Sequence, residues 1–293
     1  MTFRHTSTAI IQIICLAAIF STPTYGQYAV QVTSYDQGST PAEILGSDPP
    51  AFFNQQAAAL GSPERITGEG GNYPGAVTPF NSPFLPNEIV SVGEDGHLTL
   101  RLSNFAIPQP DGPEIGVFTN SAIFDVDFPN GVAGDPIAQF SVDSAEVDVS
   151  EDGMTWIALG EILFQGISNG FNDVAQTVLS DFQLPFTDPI ESLAGLNYSD
   201  GSGDDILSRL DGSGGGTWID ISSTGLDQVG FVRFRVSDDN DDATSLNFEL
   251  DALSIASSAV GTATPEPTGI CLVVFAAIAL VFLRPMRFKS DAS

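Results

Sequence analysis

The sequence predicts an all-β fold, a single β-sandwich held between two special-purpose ends. Glycine and proline, 29 and 19 of the 293 residues, punctuate the chain every few positions, with short β-branched and aromatic runs between them. Two of these runs alternate cleanly. Val147 and Val149 interleave with Glu146 and Asp148, and Val232, Phe234 and Val236 interleave with Arg233 and Arg235. The middle of the chain shows no amphipathic helical period of any length.

The N-terminal end, residues 1–26, reads as a secretory signal peptide. Arg4 and His5 open it, residues 9–20 are almost wholly apolar, and Thr24 and Gly26 sit three and one before Gln27. Signal peptidase needs small side chains at those two places, so cleavage before Gln27 is expected. Twelve apolar residues are short for a permanent span.

Residues 27–257 are expected to form the sandwich. Strands are predicted over 29–34, 88–92, 98–103, 117–125, 137–142, 145–150, 155–159, 229–236 and 245–255. Residues 55–60 can form one helical turn. Gly93 to Gly96 reads as a turn between strands, and Asp152-Gly153 as a hairpin turn. The stretch 198–216, rich in glycine, serine and aspartate, is expected to be one long loop. Residues 258–264 are small and polar and read as a stalk.

The C-terminal end starts at Pro265, Glu266 and Pro267. An apolar run over 270–283 follows, then Arg284, Arg287 and Lys289. Fourteen residues make about 21 Å of helix, short of a hydrocarbon core of about 30 Å. Basic residues behind the run hold that end in the cytoplasm and leave the domain outside. A weak span backed by positive charge suits a sorting signal. The three parts, in this order within 265–293, resemble the PEP-CTERM sorting signal. That resemblance implies processing by an exosortase during export, with Pro265, Glu266, Pro267, Arg284 and Arg287 as the sorting motif. It also implies a membrane contact through the tail and an association with extracellular polysaccharide at the cell surface or in the matrix. An ordinary single-span anchor after a proline-rich linker is the alternative.

A second resemblance lies in the middle. The run Val147, Asp148, Val149, Ser150, Glu151, Asp152, Gly153, Met154, Thr155 and Trp156 is similar to a hairpin of discoidin-like, galactose-binding-type jelly rolls. Residues 230–236 followed by 248–253 are similar to the closing strands of those domains. The resemblance implies a jelly-roll fold, which hosts many functions.

Charge narrows the function classes. Aspartate and glutamate number 37 against 9 lysines and arginines, a formal net charge of −28. Residues 27–264 keep five basic residues other than histidine: Arg65, Arg101, Arg209, Arg233 and Arg235. Such a surface repels phosphate backbones, so no nucleic-acid partner is expected, and it attracts divalent cations. Both cysteines, Cys15 and Cys271, lie in the apolar ends, so the middle forms neither a disulfide nor a thiolate metal site.

Chemistry is sparse. His97 is the one histidine after residue 26 and reads as a solvent-facing strand residue. The chain has no serine elbow, cysteine nucleophile or phosphate-binding loop. A carboxylate pair for glycoside cleavage leaves no local trace, so a secreted polysaccharide-active enzyme stays open beside a binding module and a ligand-free coat domain.

Structural calcium is the expected cofactor, because Asp200, Asp204 and Asp205 sit among glycines that permit tight wrapping. A second acidic turn holds Asp238, Asp239, Asp241 and Asp242, whose charges repel unless solvated or bridged. Each turn reads equally as a solvated acidic loop. Asp251 interrupts an apolar closing strand; the galactose-binding resemblance implies a calcium role for it. Trp156 reads as core. Trp218, beside three glycines, is the candidate to stack on a sugar ring, with burial as its alternative.

Overall fold

The computed structural model describes residues 27–71, 73–237 and 247–261. Fourteen strands occur among them: β1 (Ala29–Asp36), β2 (Ile66–Thr67), β3 (Gly75–Ala76), β4 (Val90–Gly93), β5 (His97–Ala106), β6 (Ile115–Thr119), β7 (Ala122–Ile123), β8 (Gln139–Phe140), β9 (Asp143–Ser150), β10 (Ile157–Phe164), β11 (Thr217–Ile219), β12 (Val229–Arg235), β13 (Asn247–Ile255) and β14 (Val260–Gly261). The fold is all-β, with one five-residue helix, α1 (Ile206–Leu210), and four short 3₁₀ turns. One of those turns, Gln56–Ala59, falls where a helical turn is expected.

Two antiparallel sheets share the core. The larger runs β1-β5-β12-β9-β10, with β14 added against the end of β5; the smaller runs β11-β6-β13-β4. Period-two patterning explains which faces meet. Leu98, Leu100 and Leu102 of β5, Val147 and Val149 of β9, and Val232 and Phe234 of β12 point inward from the larger sheet. Val90, Val92, Ile115, Val117, Phe248, Leu250, Leu253 and Ile255 answer from the smaller one. Phe234 stacks on Phe248 between the sheets, ring centroids 4.9 Å apart. Burying side chains of this size stabilises by about 1.5–3 kcal/mol each. A smaller cluster of Ile123, Ala133, Ile167, Ile190, Leu193, Ile206 and Leu210 lies under the loops.

Three sequence expectations are corrected. The stretch 198–216 is not one loop, because Asp205 accepts from the Ser208 N–H and starts α1. Ile206 and Leu210, one helical turn apart, then bury together in the smaller cluster. The strand expected over 117–125 breaks at Asn120 and Ser121; β6 stays in the smaller sheet while β7 pairs with β8. Residues 258–261, expected in the stalk, belong to the fold: Ala259 is buried and β14 pairs with Phe105 and Ala106.

The signal peptide, residues 1–26, and the tail, 265–293, lie outside the described residues, as do Asp238, Asp239, Asp241 and Asp242. Among the described residues no helix is long and apolar enough to cross a membrane.

Candidate functional site

The acidic stretch around Asp200 is a hydrogen-bonded turn. Asp200 accepts from Asn197 Nδ2 and the Ser202 N–H, each at 2.8 Å, and its carboxyl is held below the usual range first by the Ser202 side chain, then by these two bonds. Asp205 accepts from the N–H groups of Ser208 at 2.8 Å and Asp200 at 3.1 Å. Burial pushes its carboxyl up, but hydrogen bonds from Ser208, Asp200 and Gly201 outweigh it and leave it low. Asp204 instead pairs with Arg209 at 2.6 Å, on the surface. Asp173, Asp205 and Asp211 line an open, oxygen-rich depression here of about 560 Å³, with Asn172, Ser199 and Ser208. Next to it, a depression of about 370 Å³ joins Thr78, Asn130, Asp173 and Tyr198.

Asp251 stands apart from that stretch. It is buried in β13 and accepts from the Glu64 N–H at 3.1 Å. Burial, then the charges of Glu64 and Glu88, push its carboxyl well above the usual range. Glu88 is buried too, but accepts from Thr67 Oγ1 at 2.6 Å and from the N–H groups of Gly68, Phe84 and Leu85. Among the described residues no three histidine, cysteine, aspartate or glutamate side chains converge to hold one metal ion.

Trp218 occupies the edge strand β11. Its indole Nε1 donates to Gly215 O at 2.8 Å, and Phe118 meets the ring edge-on with centroids 6.4 Å apart. The three glycines before it are structural: Gly215 has φ of +80°, and a Cβ there overlaps Ile167 O. The ring packs partly on the main core and partly borders a depression of about 270 Å³. Leu163 and Phe186 give that depression apolar wall, and Gln165, Asp188 and Thr217 give it polar groups. An apolar wall with a few fixed polar groups is the usual composition of a small-ligand site.

The outer face of the larger sheet carries a fourth depression, of about 350 Å³. Register builds it. Ser34, Thr99, Arg233 and Asp148 form one row across β1, β5, β12 and β9; Asp36, His97, Arg235 and Glu146 form the next. A bulge between Val32 and Ser34 puts both Thr33 and Ser34 at the rim. Asp148 is almost wholly buried beneath the arginines and accepts from the Nε of Arg233 at 3.0 Å and of Arg235 at 2.9 Å. Arg235 reaches Glu146 as well, at 2.7 Å. The guanidinium of Arg233 lies over the indole of Trp156, 4.3 Å from its centroid. Trp156, expected in the core, is therefore an outward residue. Ser34 Oγ and His97 Nε2 stand 2.7 Å apart, yet among the described residues no carboxylate is hydrogen-bonded to that imidazole. A serine nucleophile's base needs such an orienting partner.

No protein-family model matches the chain, and no curated protein matches its sequence. The site reading therefore rests on geometry. The sequence favours Trp218 as the stacking residue and reads Trp156 as core, and it does not join the arginine pair to Asp148. The outward direction of Arg233 and Arg235 is legible from alternation; their cross-sheet neighbours depend on pairings more than 60 residues apart in sequence.

Proposed function

We propose that this chain is an exported cell-surface or extracellular-matrix protein whose jelly-roll-like sandwich binds extracellular polysaccharide without chemistry of its own. Its signal is removed before Gln27, and an exosortase processes the tail at Pro265, Glu266 and Pro267. The protein ends tethered or released at the surface.

The observation that carries the binding reading is the Trp218 depression. The indole is pinned by its bond to Gly215 O and braced by Phe118, so ordering it on binding costs little entropy. Beside it, Phe186 offers a second aromatic wall, and Asp188 and Gln165 offer hydrogen bonds to hydroxyls. The volume of about 270 Å³ suits one sugar ring rather than a large cofactor. In the enzyme alternative two carboxylates face each other across a cleft. The carboxylates of Asp143 and Glu249 do meet, but both are buried and neither borders any of the four depressions.

Calcium belongs to the proposal as a structural ion of the Asp173, Asp205 and Asp211 depression, held partly through water because no three carboxylates converge there.

The test is a glycan array with the full-length protein and Trp218→Ala. Binding to a defined set of glycans that Trp218→Ala loses at least tenfold supports the reading. Absence of binding to any glycan defeats it.

A further inference from the structure

Of the four depressions described above, the one on the outer face of the larger sheet has no carboxylate among its wall residues. That is unexpected in a chain with 37 acidic residues against 9 basic ones. Two of the five arginines of residues 27–264, and their one histidine, line this groove together with Trp156 and three hydroxyl side chains. A third arginine, Arg101, stands two residues along β5 from Thr99 on the same face, exposed and bonded to Gln31 Oε1 at 3.1 Å.

The groove is preorganised for a planar anion. Asp148, buried under it, fixes both guanidiniums by their Nε atoms, so the arginines are oriented before a ligand arrives. Arg233 meets Asp148 through Nε and Nη2, and its Nη1 has no partner among the described residues. The indole beside it gives an apolar surface and a ring N–H. Around this patch the surface is strongly negative, but screening confines that repulsion to about 8–10 Å in physiological salt. An anionic group that reaches the groove meets Arg233, Arg235, the His97 ring and three hydroxyls in its wall, with Asp148 already engaged beneath them and Asp36 and Glu146 in the neighbouring row.

We infer that this groove binds the carboxylate of an acidic sugar, a uronate residue of an extracellular polysaccharide, with Arg233 and His97 on the carboxylate and Trp156 against the ring. The inference rests on the polysaccharide reading above and assigns a second site and a sugar class to it.

The experiment uses the full-length protein and three probes: an alginate-derived oligouronate, the same oligosaccharide with its carboxyls reduced to alcohols, and a sulfated dextran. Calorimetry should show the oligouronate binding at least tenfold more tightly than its reduced form. Trp156→Ala and Arg233→Gln should each weaken oligouronate binding at least tenfold, while Trp218→Ala changes it less than twofold. Should Arg233→Gln fail to fold, Ser34→Glu on the exposed edge strand serves instead, placing a carboxylate in the wall without touching Asp148; it should abolish oligouronate binding and spare neutral glycans.

Equal affinity for the oligouronate and its reduced form overturns the inference, even where neutral glycans still bind and the broader reading survives. Tighter binding of the sulfated dextran overturns the carboxylate assignment. Loss of oligouronate binding in Trp218→Ala alone places the site elsewhere and overturns it too. A protein that binds neither charged nor neutral glycans defeats both readings.

Discussion

The backbone N–H of Glu249, on the smaller sheet, donates to Oδ2 of Asp143, on the larger, at 3.3 Å, and the two carboxyl groups also share a hydrogen bond. Both residues are buried. Burial first, then the charge and hydrogen bond of Asp143, push the Glu249 carboxyl up to about 8, against an opposing bond from Asn120. The raised value fixes the sign. The protonated form is the one the fold accommodates, so its stabilisation is complete below the ordinary glutamate range and is lost as pH rises through about 8. Asp251 shifts in the same direction, so a variant is needed to isolate Glu249. Glu249→Gln keeps one donor and one acceptor but cannot ionise. It should match the native protein near pH 5 and exceed it at pH 9 by on the order of 1–3 kcal/mol in urea unfolding. Parallel stability curves for the two proteins across that range would falsify the shared proton.

Asp148 holds both arginines of the outer face. Removing its carboxylate leaves two guanidiniums over a buried gap, with only Glu146 to receive Arg235. Asp148→Ala should cost about 2–3 kcal/mol, as expected for lost charge-assisted hydrogen bonds at a buried site. The exposed Arg101→Ala should stay within about 0.5 kcal/mol. Chemical denaturation of the two variants side by side decides it, and equal costs would mean the network is a surface feature only.

Gly116 of β6 pairs with Trp218 across the edge of the smaller sheet, and a Cβ on it falls 2.9 Å from the indole ring. Gly116→Ala must therefore displace Trp218 from its bond with Gly215. The expected cost is about 1–3 kcal/mol, typical of overpacking a fitted contact. In a Trp156→Phe background the single remaining indole reports directly: its emission should move toward the red as the ring enters water. Unchanged emission and stability would show that the ring has slack there.

The larger features of the fold were legible because they obey period two. Residues 232–236 alternate in burial as their pattern predicts, and Gly96 ends the turn before β5 as expected. Val147 and Val149 face the core as expected, while Asp148 on the opposite face is buried under two arginines. The missed helix α1 has local signals too, an aspartate cap and two apolar residues one turn apart, but five residues are too few to show a period. The two tryptophans were harder. Trp156 follows a strand-like hairpin and reads as core, yet it stands outward under Arg233, a neighbour 77 positions away. Trp218, beside three glycines, reads as a stacking candidate with burial as its alternative, and nothing local places it on an edge strand against Phe118. Cross-strand partners of that kind are set by register and not by local composition.

The acidic turn makes two separable contributions, and one protein pair can tell them apart. Asp205 caps α1 by accepting from the Ser208 N–H and ties down the preceding turn by accepting from the Asp200 N–H, roles that need no metal. Its carboxyl is held low, so the stabilisation is present above the ordinary aspartate range and fades as pH falls below it. Asp205→Ala should therefore cost about 1 kcal/mol near neutral pH with or without calcium. Asp173 and Asp211 line the same depression, Asp211 as the left-handed residue that ends α1 through its backbone, and their carboxylates add negative charge that a hard cation relieves. A site filled at a hundred times its dissociation constant stabilises by about 2.7 kcal/mol. Millimolar calcium should raise the melting temperature of the native protein more than equal magnesium, which sheds water reluctantly. Asp211→Asn should remove most of that gain while leaving the calcium-free melting temperature nearly unchanged. Equal shifts from calcium, magnesium and matched sodium chloride would reduce the turn to a solvated acidic loop with a capped helix.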